Sequence, residues 1–193
     1  MKKQRKSMDR AARKKEPTAR RPVARRTKRK GPRTLQSPGI PWVVIVDGND
    51  LVARNIHATC FGGKFDSGDN GQTESGVSND GYPTAGAYPM GVALPIRSVE
   101  AATCNSPLAF KGPHIPWLTP VKVWREADGE QMAVQCLLID NGPDVSKYPS
   151  HALDLNPNAA LHFAPGYDPE KIADCWSSDG FSYRIVGGAK YIS

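Results

Sequence analysis

Leu137-Leu138-Ile139-Asp140-Asn141-Gly142-Pro143 is the stretch on which the reading of this chain turns, together with Leu153-Asp154-Leu155 a little further on. An apolar run of strand character ends in a carboxylate and passes straight into a Gly-Pro turn. The second carboxylate sits between two leucines, directly before Asn156-Pro157-Asn158-Ala159-Ala160. That last segment has an N-capping residue, proline at the first helical position and then helix formers, so it predicts a short helix. The expectation is one acid at the mouth of a barrel and a second on the returning segment.

Working outward, Met132 to Ile139 becomes apolar on both alternations at its end and predicts a central strand. Before it, Val121-Lys122-Val123-Trp124-Arg125 alternates as a half-buried strand does, and Asp128-Gly129 signals the turn between the two. Trp42 to Val46 is β-branched and closed by the turn-formers Asp47-Gly48-Asn49-Asp50. Ile56, Ala58 and Cys60 alternate into Phe61-Gly62-Gly63-Lys64-Phe65 as a second strand. Gly91 to Ile96 is a short apolar strand, and Phe181, Tyr183 and Ile185 alternate in the last one, before Gly187-Gly188 bends the chain. Gly 18 and Pro 17 make up almost a fifth of the 193 residues, which suits a turn-rich β domain and argues against a helical bundle. The fold expected is mainly β: a six-stranded barrel with one short helix over residues 39–193.

Charge divides the chain. Residues 1–33 hold 16 of the 26 Lys and Arg and only Asp9 and Glu16 among the acids, a balance of +14. The remaining 160 residues carry 10 basic and 17 acidic side chains, a balance of −7. Residues 1 to about 38 therefore read as a disordered Lys/Arg-rich arm with nothing apolar to bury. Any attraction to nucleic acid or another polyanion belongs to that arm, with Arg25, Arg26, Lys28, Arg29 and Lys30 as its densest cluster.

No segment offers the roughly 20 apolar residues a membrane span needs. Ile40 to Val46 is interrupted by Pro41 and stopped by Asp47, so no secretory leader is expected, and His57 stands where a lipoprotein cleavage site at Cys60 would need an apolar residue. The four cysteines, Cys60, Cys104, Cys136 and Cys175, form no C-x-x-C pair and so no zinc site. Two disulfides remain open, against the plainer reading of Cys60 and Cys136 as reduced core residues. The acids Asp66, Asp69, Glu74 and Asp80 lack calcium-loop spacing. No metal or cofactor is expected, and a monomer is.

Four pieces, in order, resemble the double-psi β-barrel domain of the rare lipoprotein A-like and expansin-like family. Phe61-Gly62-Gly63-Lys64-Phe65 is similar to its aromatic-Gly-Gly opening, with Thr73-Glu74-Ser75-Gly76 for its T-A-S-G loop. Ile115-Pro116-Trp117-Leu118-Thr119 with Val121-Lys122-Val123 resembles L-P-F-G-T-x-V-x-V. Ile139-Asp140-Asn141-Gly142-Pro143 resembles N-D-R-G-P, and Ala152-Leu153-Asp154-Leu155 with Ala159-Ala160 resembles I-D-L-S-x-A-A-A.

The resemblance implies a cell-wall polysaccharide, peptidoglycan first, as the partner. Asp140 becomes the catalytic acid/base of a lytic-transglycosylase-like cleavage, and Asp154 a second, groove-lining acid. Trp117, Gly142 and His151 are the accompanying substrate-binding candidates, and Trp42, Trp124 and Trp176 are further aromatic surface for sugars. The plainer roles are an Asx turn for Asp140, its carboxylate capping the Gly142 amide, and a helix cap for Asp154.

The chain departs from the pattern in having Val77 where active members place a glutamate, and no histidine in Val92-Ala93-Leu94-Pro95. A second class of function therefore stays open: a non-enzymatic structural or virion-associated barrel whose arm binds nucleic acid.

Overall fold

A computed structural model describes residues 31–36, 39–62, 73, 75, 90–95, 115–143, 145, 147–167 and 176–191. Eight strands run in chain order: β1 Arg33–Leu35, β2 Val43–Asp47, β3 Asp50–Cys60, β4 Gly91–Leu94, β5 Pro120–Arg125, β6 Val134–Asn141, β7 His151–Leu155 and β8 Ser178–Ile185. One short helix, α1, covers Pro157–Phe163. Strands β3, β7, β4, β6, β5 and β8 pair in that order, and β8 pairs back onto β3, so six strands close a barrel. Closure leaves these six without a free edge along their pairings. Strands β1 and β2 lie outside the ring, β1 antiparallel to β2 and β2 antiparallel to the first half of β3.

The long strand β3 makes this arrangement fit together. One of its edges takes β8 along most of its length, from Leu51↔Ile185 to Ala58↔Ser178. Its other edge serves two partners in turn, β2 up to Arg54 and β7 from His57 onward. The handover falls at Asn55, whose φ of 61° is left-handed. Asparagine tolerates that region better than most residues. Its amide donates to Glu126 Oε1 at 2.9 Å and its side-chain amide to the Pro41 carbonyl at 3.0 Å, which fixes the kink.

The expected strands are present, with three corrections. Arg33–Leu35, within the segment expected as the arm, is paired strand; residues 1–30 and 37–38 lie outside the described residues. The strand beginning near Ile56 starts at Asp50 and ends at Cys60, and does not run on through Phe61 and Gly62. The closed ring has six strands, but the expected strand at Trp42 to Val46 lies outside it as β2, and β7, not expected as a strand, takes its place in the ring. Strand β6 is central, as expected, between β4 and β5. Helix α1 starts on the Asn156 cap, whose side chain accepts from the Ala159 amide.

The interior is filled by the inward alternation of all six barrel strands, among them Ile56, Leu138, Leu153, Leu155, Tyr183 and Ile185, all essentially inaccessible to solvent. Each of the aliphatic side chains among them contributes about 1.5–3 kcal/mol by leaving water. Cys136 is a free thiol in this core, and burial pushes its pKa up to about 12. Cys60 departs from expectation in being disulfide-bonded.

The Ile115–Thr119 segment turns into β5 through Leu118, whose φ of 64° is left-handed. The turn is held by the Leu118 amide donating to the Leu138 carbonyl at 2.8 Å and the Thr119 hydroxyl donating to the Pro116 carbonyl at 2.7 Å. A leucine in this conformation costs about 1–2 kcal/mol, and its side chain is half exposed and loses little burial on removal. Leu118→Gly should therefore stabilise the protein by about 0.5–1 kcal/mol, the remainder being offset by glycine's freer unfolded chain. Urea denaturation checks this; a destabilised variant would show that the Leu118 side chain matters more than its backbone.

Candidate functional site

Asp140 reaches the site through an irregularity in β6. Cys136 and Leu138 point into the core, and simple alternation would send Asp140 the same way. In the pairing with β4, however, Val92 stands opposite Leu138 and Ala93 opposite Asp140, so Ile139 is an extra residue. The bulge reverses the alternation and turns Asp140 onto the barrel's outer face. Asp154 arrives there by a parallel device. His57 pairs with His151 but Ala58 pairs with Leu153, which makes Ala152 the extra residue of β7. Leu153 and Leu155 then face the core and Asp154 faces outward.

Ala93 pairs with Asp140 on one side and Asp154 on the other, and Asp154 pairs with Thr59. Four strands thus carry one row, Thr59–Asp154–Ala93–Asp140. Two strand spacings separate the aspartate backbones, roughly 10 Å. Ala93 between them is buried, so the row is covered at this point and not open to solvent. The Thr59 hydroxyl donates to Asp154 Oδ1, and the Asn141 amide donates to Asp140 Oδ1 at 2.8 Å.

Gly142 lies over this row. A Cβ on it would stand 3.6 Å from Asp154 Oδ2 and 3.9 Å from the Ala93 Cβ. The segment at Thr73 and Ser75 docks beside the same end of β6, the Ser75 amide donating to the Ile139 carbonyl at 3.1 Å. The hydroxyls of Thr73 and Ser75 are 2.8 Å apart.

The plainer roles take other forms, the Asp140 carboxylate accepting from the neighbouring Asn141 amide. The Gly142 amide donates to the Leu94 carbonyl at 3.2 Å, so Asp140 does not cap it. The helix cap is Asn156, not Asp154.

A second row crosses the same outer face two residues back along β3, about 7 Å away. Asp179 of β8 accepts a 2.7 Å hydrogen bond from His57 Nδ1. The His57 ring stacks on His151 with centroids 4.6 Å apart, and His151 stacks on Tyr148 at 5.1 Å. Parallel rings on both sides mean that His151 is sandwiched. Burial holds the His151 pKa below the ordinary histidine value, the neighbouring His57 adds to the depression, and Asp179 opposes it. The ring stays neutral to lower pH than a free histidine, and the stacked geometry is kept.

Of the residues proposed from sequence, Asp140, Asp154 and Gly142 come together, and His151 stands one row away. Trp117 is half-buried against the core, immediately before the turn that bonds to Leu138. Trp42 and Trp124 are excluded as sugar-stacking surfaces because both are fully buried, Trp42 donating its indole N–H to the Pro149 carbonyl at 3.0 Å. Trp176 is packed edge-on to Phe181 at 5.6 Å. Arg25, Arg26, Lys28, Arg29 and Lys30 lie outside the described residues.

Sequence reasoning missed His57, Thr59, Tyr148 and Asp179. The alternation that marks Ile56, Ala58 and Cys60 as inward places His57 and Thr59 outward by the same rule. Nothing local marks Tyr148 or Asp179. Among the described residues no cluster of three or more His, Cys, Asp or Glu is arranged to hold a metal ion. None of their helices is long and apolar enough to cross a membrane. No protein-family model, curated protein or solved structure matches the chain.

Proposed function

We propose that this protein engages a cell-wall glycan, peptidoglycan first, across the outer face of a double-psi barrel, and that Asp140 cleaves it in the manner of a lytic transglycosylase. The observation that carries the reading is the row Asp154–Ala93–Asp140, two outward carboxylates separated by the smallest chiral side chain. The Ile139 bulge supports it, since bulges next to active sites commonly re-aim a side chain. The double-psi order is supported by two parallel pairs, β3 with β7 and β4 with β6, in an otherwise antiparallel ring. Each parallel pair requires a connection that crosses over rather than a hairpin. The left-handed Leu118 occupies the glycine position of L-P-F-G-T, and the Thr73 and Ser75 segment meets β6 next to Asp140.

In the proposed reaction the Asp140 carboxyl gives its proton to the glycosidic oxygen as the bond to the anomeric carbon breaks. The resulting carboxylate then takes the proton of the attacking hydroxyl. Asp154, held by Thr59, orients the sugar beside Gly142.

The full chain should release soluble muropeptides from purified sacculi. Asp140→Asn should lower release at least a hundredfold, the usual size of a lost acid/base group. Its thermal midpoint should stay unchanged, because asparagine keeps an oxygen for the Asn141 amide. No release from either intact or peptide-stripped glycan would overturn cleavage. No co-sedimentation with sacculi would overturn glycan engagement altogether.

A further inference from the structure

We propose that the outer face of the Tyr148 ring is a stacking subsite for a pyranose ring of the glycan, next to the Asp140–Asp154 row. This rests on the glycan reading above and names where a sugar outside the cleavage point is held. The ladder Asp179–His57–His151–Tyr148 runs across the sheet from β8 through β3 to β7, so Tyr148 lies on the β4 side of His151. It therefore occupies, one row away, the column in which Ala93 separates the two aspartates. Its free face is turned toward the β4 and β6 side, where Asp140 stands.

Tyr148 is 53% exposed. That suits a ring covered on one face and open on the other. Its plane is set by His151, 14° from parallel. His151 is set in turn by His57, whose Nδ1 must carry the proton because the Asp179 carboxylate can only accept.

The backbone beneath is clamped as well. The His151 amide donates to the Tyr148 carbonyl at 2.9 Å, and the His57 amide to the Ser150 carbonyl at 3.1 Å. The buried Trp42 indole holds the Pro149 carbonyl at 3.0 Å. An exposed aromatic fixed in this way offers apolar area at little cost in conformational freedom. A sugar presents axial C–H groups to such a face and hydroxyls to water, while the adjoining row supplies carboxylate acceptors.

The test uses the full chain and soluble, peptide-free glycan strands of peptidoglycan, with binding followed by calorimetry. Tyr148→Ala should weaken binding at least fivefold, and Tyr148→Phe, which keeps the ring, should bind within twofold of the parent. In the unsubstituted protein, titration with the glycan should shift the His151 ring proton resonances. Equal binding by Tyr148→Ala, or His151 resonances that do not move while the glycan binds, overturns the subsite and leaves the glycan reading standing. A protein that binds no glycan at all overturns both.

Discussion

Asn156→Ala should destabilise the protein by about 2–4 kcal/mol, because a single side-chain oxygen serves two buried amides. Asn156 Oδ1 accepts from the Ala159 amide at 3.1 Å and from the Gly91 amide at 2.9 Å. The Asn156 amide donates back to the Gly91 carbonyl at 2.9 Å. Loss of the helix cap alone costs about 1 kcal/mol. Leaving the Gly91 amide buried and unpaired adds roughly 1–3 kcal/mol.

Asn156 also fastens β7 to β4 just beyond the Val92↔Leu155 pair, so the loss is felt in the strand that carries Ala93. Gly91 is closely engaged on its other side, since a Cβ there would lie 2.1 Å from the Ile139 Cδ1. Asn156→Asp keeps an acceptor for both amides and should lose distinctly less. Urea unfolding of the two variants decides the matter. Equal losses would mean that the lost contact is made by the Asn156 side-chain NH2, not its oxygen.

Gly142→Ala should destabilise by about 2 kcal/mol, lowering Tm by roughly 4–8 °C for a chain of this size. The reason is conformational. Gly142 has φ +144°, a region that L-residues rarely enter. Space is not the obstacle, since the new methyl would meet Asp154 Oδ2 at 3.6 Å and the Ala93 Cβ at 3.9 Å, ordinary contact distances. The same methyl would cover the Asp154 carboxylate, so glycan affinity should fall together with Tm. An unchanged Tm in a calorimetric scan would remove the backbone argument. A lowered Tm with intact glycan affinity would remove Asp154 from the groove.

The turn at Ile139–Pro143 was the part of the site most legible in the sequence. An apolar run ending in Asp-Asn-Gly-Pro identifies a central strand and its exit, and β6 is such a strand. The Asn156-Pro157 start of α1 was equally legible, because an N-cap and a first-turn proline act within a few residues. Local alternation also marked β5 and β8, and β-branched or continuous apolar composition marked β2 and β4. Strand β7 and the long reach of β3 were less visible. Leu153-Asp154-Leu155 is too short to declare its pairing, and β3 takes two partners along one edge.

What the sequence determined by itself, then, is local: where strands and the helix run, the Gly-Pro turn behind Asp140, and the charge contrast between residues 1–33 and the rest. Which face Asp140 presents was decided by tertiary structure alone. By alternation Asp140 belongs with Cys136 and Leu138, inside the barrel. The extra residue Ile139 reverses that, and it is recognisable as extra only against the register of β4. For Asp154 the Leu153-Asp154-Leu155 alternation gives the outward face by itself, and only the offset from His151 made by Ala152 depends on the register of β3. A one-residue slip in pairing inverts every side chain beyond it. That slip is fixed by contacts between strands far apart in the chain, so no local pattern encodes it. The gathering of Asp179, His57, His151 and Tyr148 has the same origin, since β8, β3 and β7 become neighbours only when the barrel closes.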